Sequence, residues 1–227
     1  MLKRGSTGRR LGLLVAVAAI ATMISAGIAL AMGSTIVGQT DNTFDANTYT
    51  IDQGQVAQLQ VTGSDHNATA NQNGPDGRAL FRSPTISGGA AGVDGTQYLS
   101  AGHYTFFCTI HPSTMQASLT VTGNGTPQAR RSAKLSGKKT SVAKAIKKGV
   151  LVNINASTKI DGATLTLKLG KSALGKATLS LAAGPQTDRI KLNKAGKSKL
   201  RGRSKAKLTV VADIPFGFPA SGKIKLG

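Results

Sequence analysis

Beyond residue 34 the chain is written in short runs in which apolar and polar residues alternate. That is the period of a strand with one face buried and one face in water. YTIDQGQVAQLQV (49–61) is two such runs broken by the turn residues Asp52, Gln53 and Gly54. HYTFFCTI (103–110) and QASLTVTG (116–123) are rich in aromatic, β-branched and alternating apolar residues. The intervening 71–95 is dense in Gly, Pro and Ser and reads as loop with at most one short strand. Further along, 150–157, 163–170, 176–184, 188–193 and 206–214 alternate again, parted by Gly, Asn and Asp at the roughly 8–12-residue spacing of a sandwich. Between 34 and 122 no useful stretch carries a helical period. An all-β chain built of β-sandwiches follows.

Charge divides these strands into two groups. Residues 32–125 hold two Arg (Arg78, Arg82) against six Asp, a sum of −4, whereas 126–227 sum to +20. A break of that size argues for two modules, 34–122 and 134–227, joined by a linker over 123–133. Ahead of both, residues 11–32 are uncharged and follow the basic stretch MLKRGSTGRR, with Ala29-Leu30-Ala31 as a small-x-small site. Residues 1–31 therefore read as a cleaved export signal or as an uncleaved N-terminal membrane helix. Either leaves the basic flank inside and the rest of the chain extracytoplasmic, secreted or held at the membrane. One cysteine excludes a disulfide framework and a multi-thiolate zinc site. All nine acids are Asp, which thins the supply of carboxylate pairs for hydrolysis.

The chemistry is concentrated in Cys108-Thr-Ile-His111-Pro-Ser-Thr-Met115, on the segment leaving a strand. A thiolate, an imidazole and a thioether so close together form a soft ligand set, and a His₂Cys site with a weak axial Met is the blue-copper arrangement. The second imidazole must come from elsewhere, and His66 in Gly63-Ser-Asp-His-Asn67 supplies it. Taken singly, a lone Cys or Met is commonly core filler. Yet Met115 is the only methionine beyond residue 32, and it stands beside the Cys/His pair. His103 lies an odd number of residues before Cys108, on the opposite strand face, and reads as a surface histidine.

Here the middle module resembles the cupredoxins of the plastocyanin/azurin kind. The resemblance is carried by His66-Asn67 after a strand ending in VTG, and by Gly102-His-Tyr104-Thr-Phe106-Phe-Cys108-Thr-Ile-His111 with Met115 close behind. It implies a Greek-key β-sandwich holding one type 1 copper ion, with His66, Cys108 and His111 as equatorial ligands and Met115 as axial ligand. It also implies that Asn67 ties the two ligand loops together, with a hydrogen bond near Cys108 or Thr109. The function implied is single-electron transfer between redox proteins that dock at the His111 edge, without catalysis. Copper sequestration or delivery by the same ligands is the alternative, and a purely structural wall-associated sandwich is the second alternative.

The basic module carries a near-miss of a phosphate-binding loop, Gly170 to Ala177. It ends in Ala where a Ser or Thr must reach Mg²⁺, and a strand follows where a helix should begin. Its strand pattern, with a helical or turn crossover at 192–200, weakly resembles bacterial Ig-like β-domains. Its charge is either a solvated surface or a means of attachment to anionic cell-wall polymer or lipid head groups. Nucleic acid is disfavoured, because Phe216 and Phe218 are the only aromatics after residue 125.

Overall fold

The structure is a computed structural model and describes residues 32–227. The expected leader at 1–31 lies outside the described residues. Among those described, no helix is long and apolar enough to cross a membrane.

The first unit is all-β. Strands β1 (Met32–Gly38), β3 (Val56–Val61) and β5 (Gly89–Val93) form one sheet in the order β1-β3-β5. Strands β2 (Thr48–Gln53), β4 (Thr69–Ala70), β6 (Gly102–Phe107) and β7 (Gln116–Gly125) form the other, in the order β2-β7-β6-β4. β1 runs parallel to β3 and β2 parallel to β7, while β3–β5 and β6–β7 are antiparallel. Alternation buries Tyr49 and Ile51 of β2 against Leu119 and Val121 of β7. Phe106 sits at the centre of the core, its ring 5.1 Å from that of Phe44 and 6.0 Å from those of Tyr49 and Phe81. Such tilted pairs add to the area that they bury.

Tyr49 brings a hydroxyl into this core. Its O–H donates to the Asp45 carboxylate and accepts from the Ala46 N–H at 3.2 Å. Burial, reinforced by the bond to Asp45, pushes the phenol well above its ordinary 10.0. The folded state thus keeps a proton that the unfolded chain releases first, so this contribution is whole below pH 10 and is lost as pH rises beyond it. Tyr49→Phe should flatten the alkaline fall in stability relative to the parent, measured by urea unfolding from pH 8 to 11. Parallel pH profiles would contradict the assignment.

The second unit is also a two-sheet sandwich. β8 (Ala133–Gly137), β9 (Val150–Ala156) and β12 (Gly184–Ile190) pair in the order β12-β9-β8. β10 (Ile160–Leu169), β11 (Ser172–Leu181), β13 (Ala206–Asp213) and β14 (Ala220–Leu226) pair in the order β11-β10-β13-β14. Two short helices close it. In α1 (Val142–Lys148), Ser141 Oγ accepts from the Lys144 N–H, and in α2 (Lys194–Leu200), Asn193 Oδ1 accepts from the Gly196 N–H. Both are side-chain N-caps. α2 falls in the expected 192–200 crossover, whereas β1, β8, β14 and α1 were not marked by the alternation.

The hydrophobic core comes in two clusters, one drawn from Ile36 to Val121 and one from Leu135 to Leu226. Strand β7 runs on to Gly125 and β8 begins at Ala133, so only 126–132 connects the two units outside strands. That connection is pinned. Arg131 binds the Asp94 carboxylate with its closest N–O distance at 3.0 Å, and its carbonyl accepts from the Phe218 N–H at 3.0 Å. Phe216 of the second unit is buried, its N–H donating to Asp76 at 3.0 Å and its ring lying 4.6 Å beneath the Arg82 guanidinium. A Cβ on Gly95 would stand 2.9 Å from that ring and 2.5 Å from the Leu80 carbonyl, so the close approach requires glycine there. Arg78 pairs with Asp213 across the same seam.

Candidate metal centre

The strand ladders set the site at the far end of the first unit from this seam. In the β6–β7 hairpin, Gly102 pairs with Val121 and Phe107 with Gln116, so the connection holding Cys108, His111 and Met115 leaves the end opposite Gly102. In the other sheet, Gly38 and Gly89 both pair with Val61 at that same end, and the chain then continues to His66. Backbone bonds fix both segments. His66 and Ile86 exchange N–H···O bonds at 3.0 Å. The Cys108 N–H donates to the Met115 carbonyl at 3.0 Å, and the Met115 N–H donates to the His111 carbonyl at 2.9 Å.

His66, Cys108 and His111 converge, their donor atoms all lying within 4.8 Å of one another. Cys108 Sγ is 3.9 Å from His111 Nδ1. A trigonal metal bound to sulfur at about 2.3 Å and to nitrogen at about 2.0 Å would part those donors by about 3.7 Å. The two imidazoles meet edge to face, with centroids 5.1 Å apart.

Proton placement on His66 decides what the ring can do. Nε2 lies 2.9 Å from the Gln39 carbonyl and 3.1 Å from Ser64 Oγ. A carbonyl only accepts, so Nε2 carries the hydrogen and Nδ1 is left with its lone pair. Nδ1 is buried and has no hydrogen-bond partner. A buried acceptor without a partner is costly unless something electron-poor occupies the space it faces. His66 and Cys108 are fully buried and His111 is partly exposed. Gly38 supports the ring from behind, where a Cβ would come within 2.9 Å of His66 Cδ2.

Asn67 spans the two ligand segments. Its backbone N–H lies 3.5 Å from Cys108 Sγ, its Nδ2 donates to Thr109 Oγ1 at 2.7 Å, and its Oδ1 accepts from the Thr109 N–H at 3.0 Å. Nδ2 also donates to Thr85 Oγ1 at 3.0 Å, and Oδ1 accepts from Thr69 Oγ1 at 3.1 Å, which saturates the amide. Gln39, Ser64, Thr69 and Thr85 were not found by sequence reasoning, since nothing in their local pattern marks them. Met115 is fully buried at the β7 end of the hairpin connection, its carbonyl accepting from the Cys108 N–H at the β6 end. His103 stays apart, exposed on β6 with Nδ1 at 3.0 Å from Thr120 Oγ1.

A buried thiol and two imidazoles, one with an unpartnered Nδ1, at the loop end of a β-sandwich fit one type 1 copper ion. These are also the residues that carried the resemblance to the cupredoxins. No protein-family model matches the chain, and no curated protein matches it. Among solved structures it is similar to auracyanin A, a blue copper protein from Chloroflexus aurantiacus, at 18% identity over 40% of this chain and 98% of that one, with a TM-score of 0.33. Amicyanin from Paracoccus versutus aligns at 22% identity over 39% of this chain and 80% of its own, with a TM-score of 0.32. A reduced Cu(I) amicyanin variant aligns at 19% identity over 39% and 81%, with a TM-score of 0.33.

Proposed function

We propose that the chain is an extracytoplasmic carrier of single electrons, in which His66, Cys108, His111 and Met115 would hold one type 1 copper ion. The observation that carries this reading is the convergence of His66, Cys108 and His111, whose donor atoms lie within 4.8 Å of one another while Nδ1 of His66 is buried without a hydrogen-bond partner. Copper bound there supplies a one-electron couple. The chain's own part is to keep the donors still. Gln39 and Ser64 fix the ring and tautomer of His66, and Asn67 locks Cys108 and Thr109 to the opposite segment. Rigid ligands leave little to rearrange when the charge changes, and the N–H of Asn67 on the sulfur stabilises negative charge there. Four protein ligands leave no place for a substrate, so the reading is a carrier and not an enzyme. Electrons would pass at the His111 edge to a docked redox protein, where Ile110 is 44% exposed and Pro112 lies beside it.

Voltammetry of the copper-loaded chain should give one reversible one-electron wave with fast self-exchange. Asn67→Ala should slow the exchange and weaken copper binding by about 10–100-fold, because the ligand segments lose their tie. Tight Cu(I) retention with no reversible oxidation would instead support sequestration or delivery.

A further inference from the structure

Part of the second unit's unpaired positive charge gathers at the outer end of the β13–β14 pair, away from the seam. Strands β13 and β14 pair Ala212 with Ala220 near the seam, where Asp213 meets Arg78, and Ala206 with Leu226 at the other end. Toward that outer end Lys207 stands directly opposite Lys225 on the water-facing side, and Lys223 lies two residues along. Directly opposed like charges destabilise a strand pair. Two adjoining grooves of about 510 and 460 Å³ share Lys205 and Lys225, the first adding Lys139 and Lys223 and the second Arg203 and Lys207. No acidic side chain lines either groove. Among the described residues the ion pairs are Arg78–Asp213, Arg131–Asp94 and Lys159–Asp161, so none of these six cations is neutralised.

We propose that these grooves hold a linear polyanion with closely spaced oxyanions. The fold tolerates the Lys207–Lys225 opposition, and a ligand bringing negative charge along the groove relieves it. Adjacent strands are about 4.8 Å apart and alternate residues about 6.8 Å apart, so the lysines present a grid matched by repeating anionic units. Six cations over two grooves exceed what one small anion can neutralise. A concave face suits a polymer strand better than a bilayer, and no aromatic residue lines it to stack on a nucleobase. Since the grooves and the copper site occupy opposite ends of the molecule, a bound polymer leaves the His111 edge free.

The test titrates the copper-loaded chain with inorganic polyphosphate, with poly-glutamate and with phosphatidylglycerol vesicles at 0.05 and 0.2 M salt. Binding to either polymer, weakening by at least about tenfold between the two salt concentrations, is expected, and the tighter one tells phosphate from carboxylate chemistry. Replacing Lys205, Lys207, Lys223 and Lys225 with Gln should weaken binding by at least about tenfold. The same replacement at Lys134, Lys176, Lys191 and Lys194, all exposed and outside the grooves, should change it less than about threefold. Equal losses in the two variants would assign binding to net charge and overturn the proposal, as would tighter binding to vesicles or none to either polymer. The visible spectrum, followed in the same samples, reports the copper reading independently.

Discussion

Cys108→Ser should abolish the intense visible band of the Cu(II)-loaded protein and weaken Cu(II) binding by more than about 100-fold. That band arises from charge transfer out of a thiolate, and the serine oxygen is a harder and far less easily oxidised donor. Loss of a ligand should exceed the roughly 10–100-fold typical of losing its supporting hydrogen bonds. Because Cys108 is fully buried within the hydrophobic cluster, the serine variant also places a hydroxyl in the core. His66→Ala separates the two effects, since it removes a ligand without touching the sulfur. Both variants should change the visible and paramagnetic-resonance spectra while the far-ultraviolet spectrum holds. A blue Cys108→Ser protein would end the type 1 assignment.

Phe216→Ala should uncouple the two sandwiches. Truncating a buried Phe costs about 3–5 kcal/mol, and here the ring lies between the units under Arg82. The loss therefore falls on the seam rather than on either core. Calorimetry should resolve the parent's unfolding into two transitions in the variant, with the copper spectrum of the folded protein unchanged. Phe216 has φ 58°, a left-handed conformation unusual for a bulky residue. Phe216→Gly should thus be less destabilised than Phe216→Ala by about 1 kcal/mol, as glycine relieves that strain. An unchanged single transition in the Ala variant would show that the seam is held by the Arg78, Arg131 and linker contacts alone.

Much of the fold was legible because a sandwich strand announces itself locally. In β13, AKLTVVAD, every second residue is buried, and β9, and β10 from Ala163 to Leu167, follow the same period. Strands β8 and β14 escaped because AKLSG and ASGKIKL put Gly137 and Gly222 on the side of the strand that carries the buried residues, leaving Leu135 alone in one and only Ile224 and Leu226 in the other as large apolar residues to carry the period. Gly137 and Gly222 are there because the backbone passes too close for a side chain: a Cβ on Gly222 would lie 2.2 Å from the Leu135 carbonyl. Composition alone does not register that closeness.

The donor set shows the same division. Cys108 and His111 stand three residues apart and one hairpin connection gathers them, with Met115, the proposed fourth donor, at its end, so the sequence by itself determined the thiol–imidazole pairing and the all-β frame. It also placed the charge break between the units. Only the tertiary structure decided which nitrogen of His66 is free, because the Gln39 carbonyl that settles it is 27 residues away. The saturated amide of Asn67, the Phe216 seam and the opposition of Lys207 to Lys225 have the same origin. Periodicity reports which face of a strand is buried. Hydrogen bonds and charge opposition depend on register between strands distant in sequence, and no local pattern carries that information.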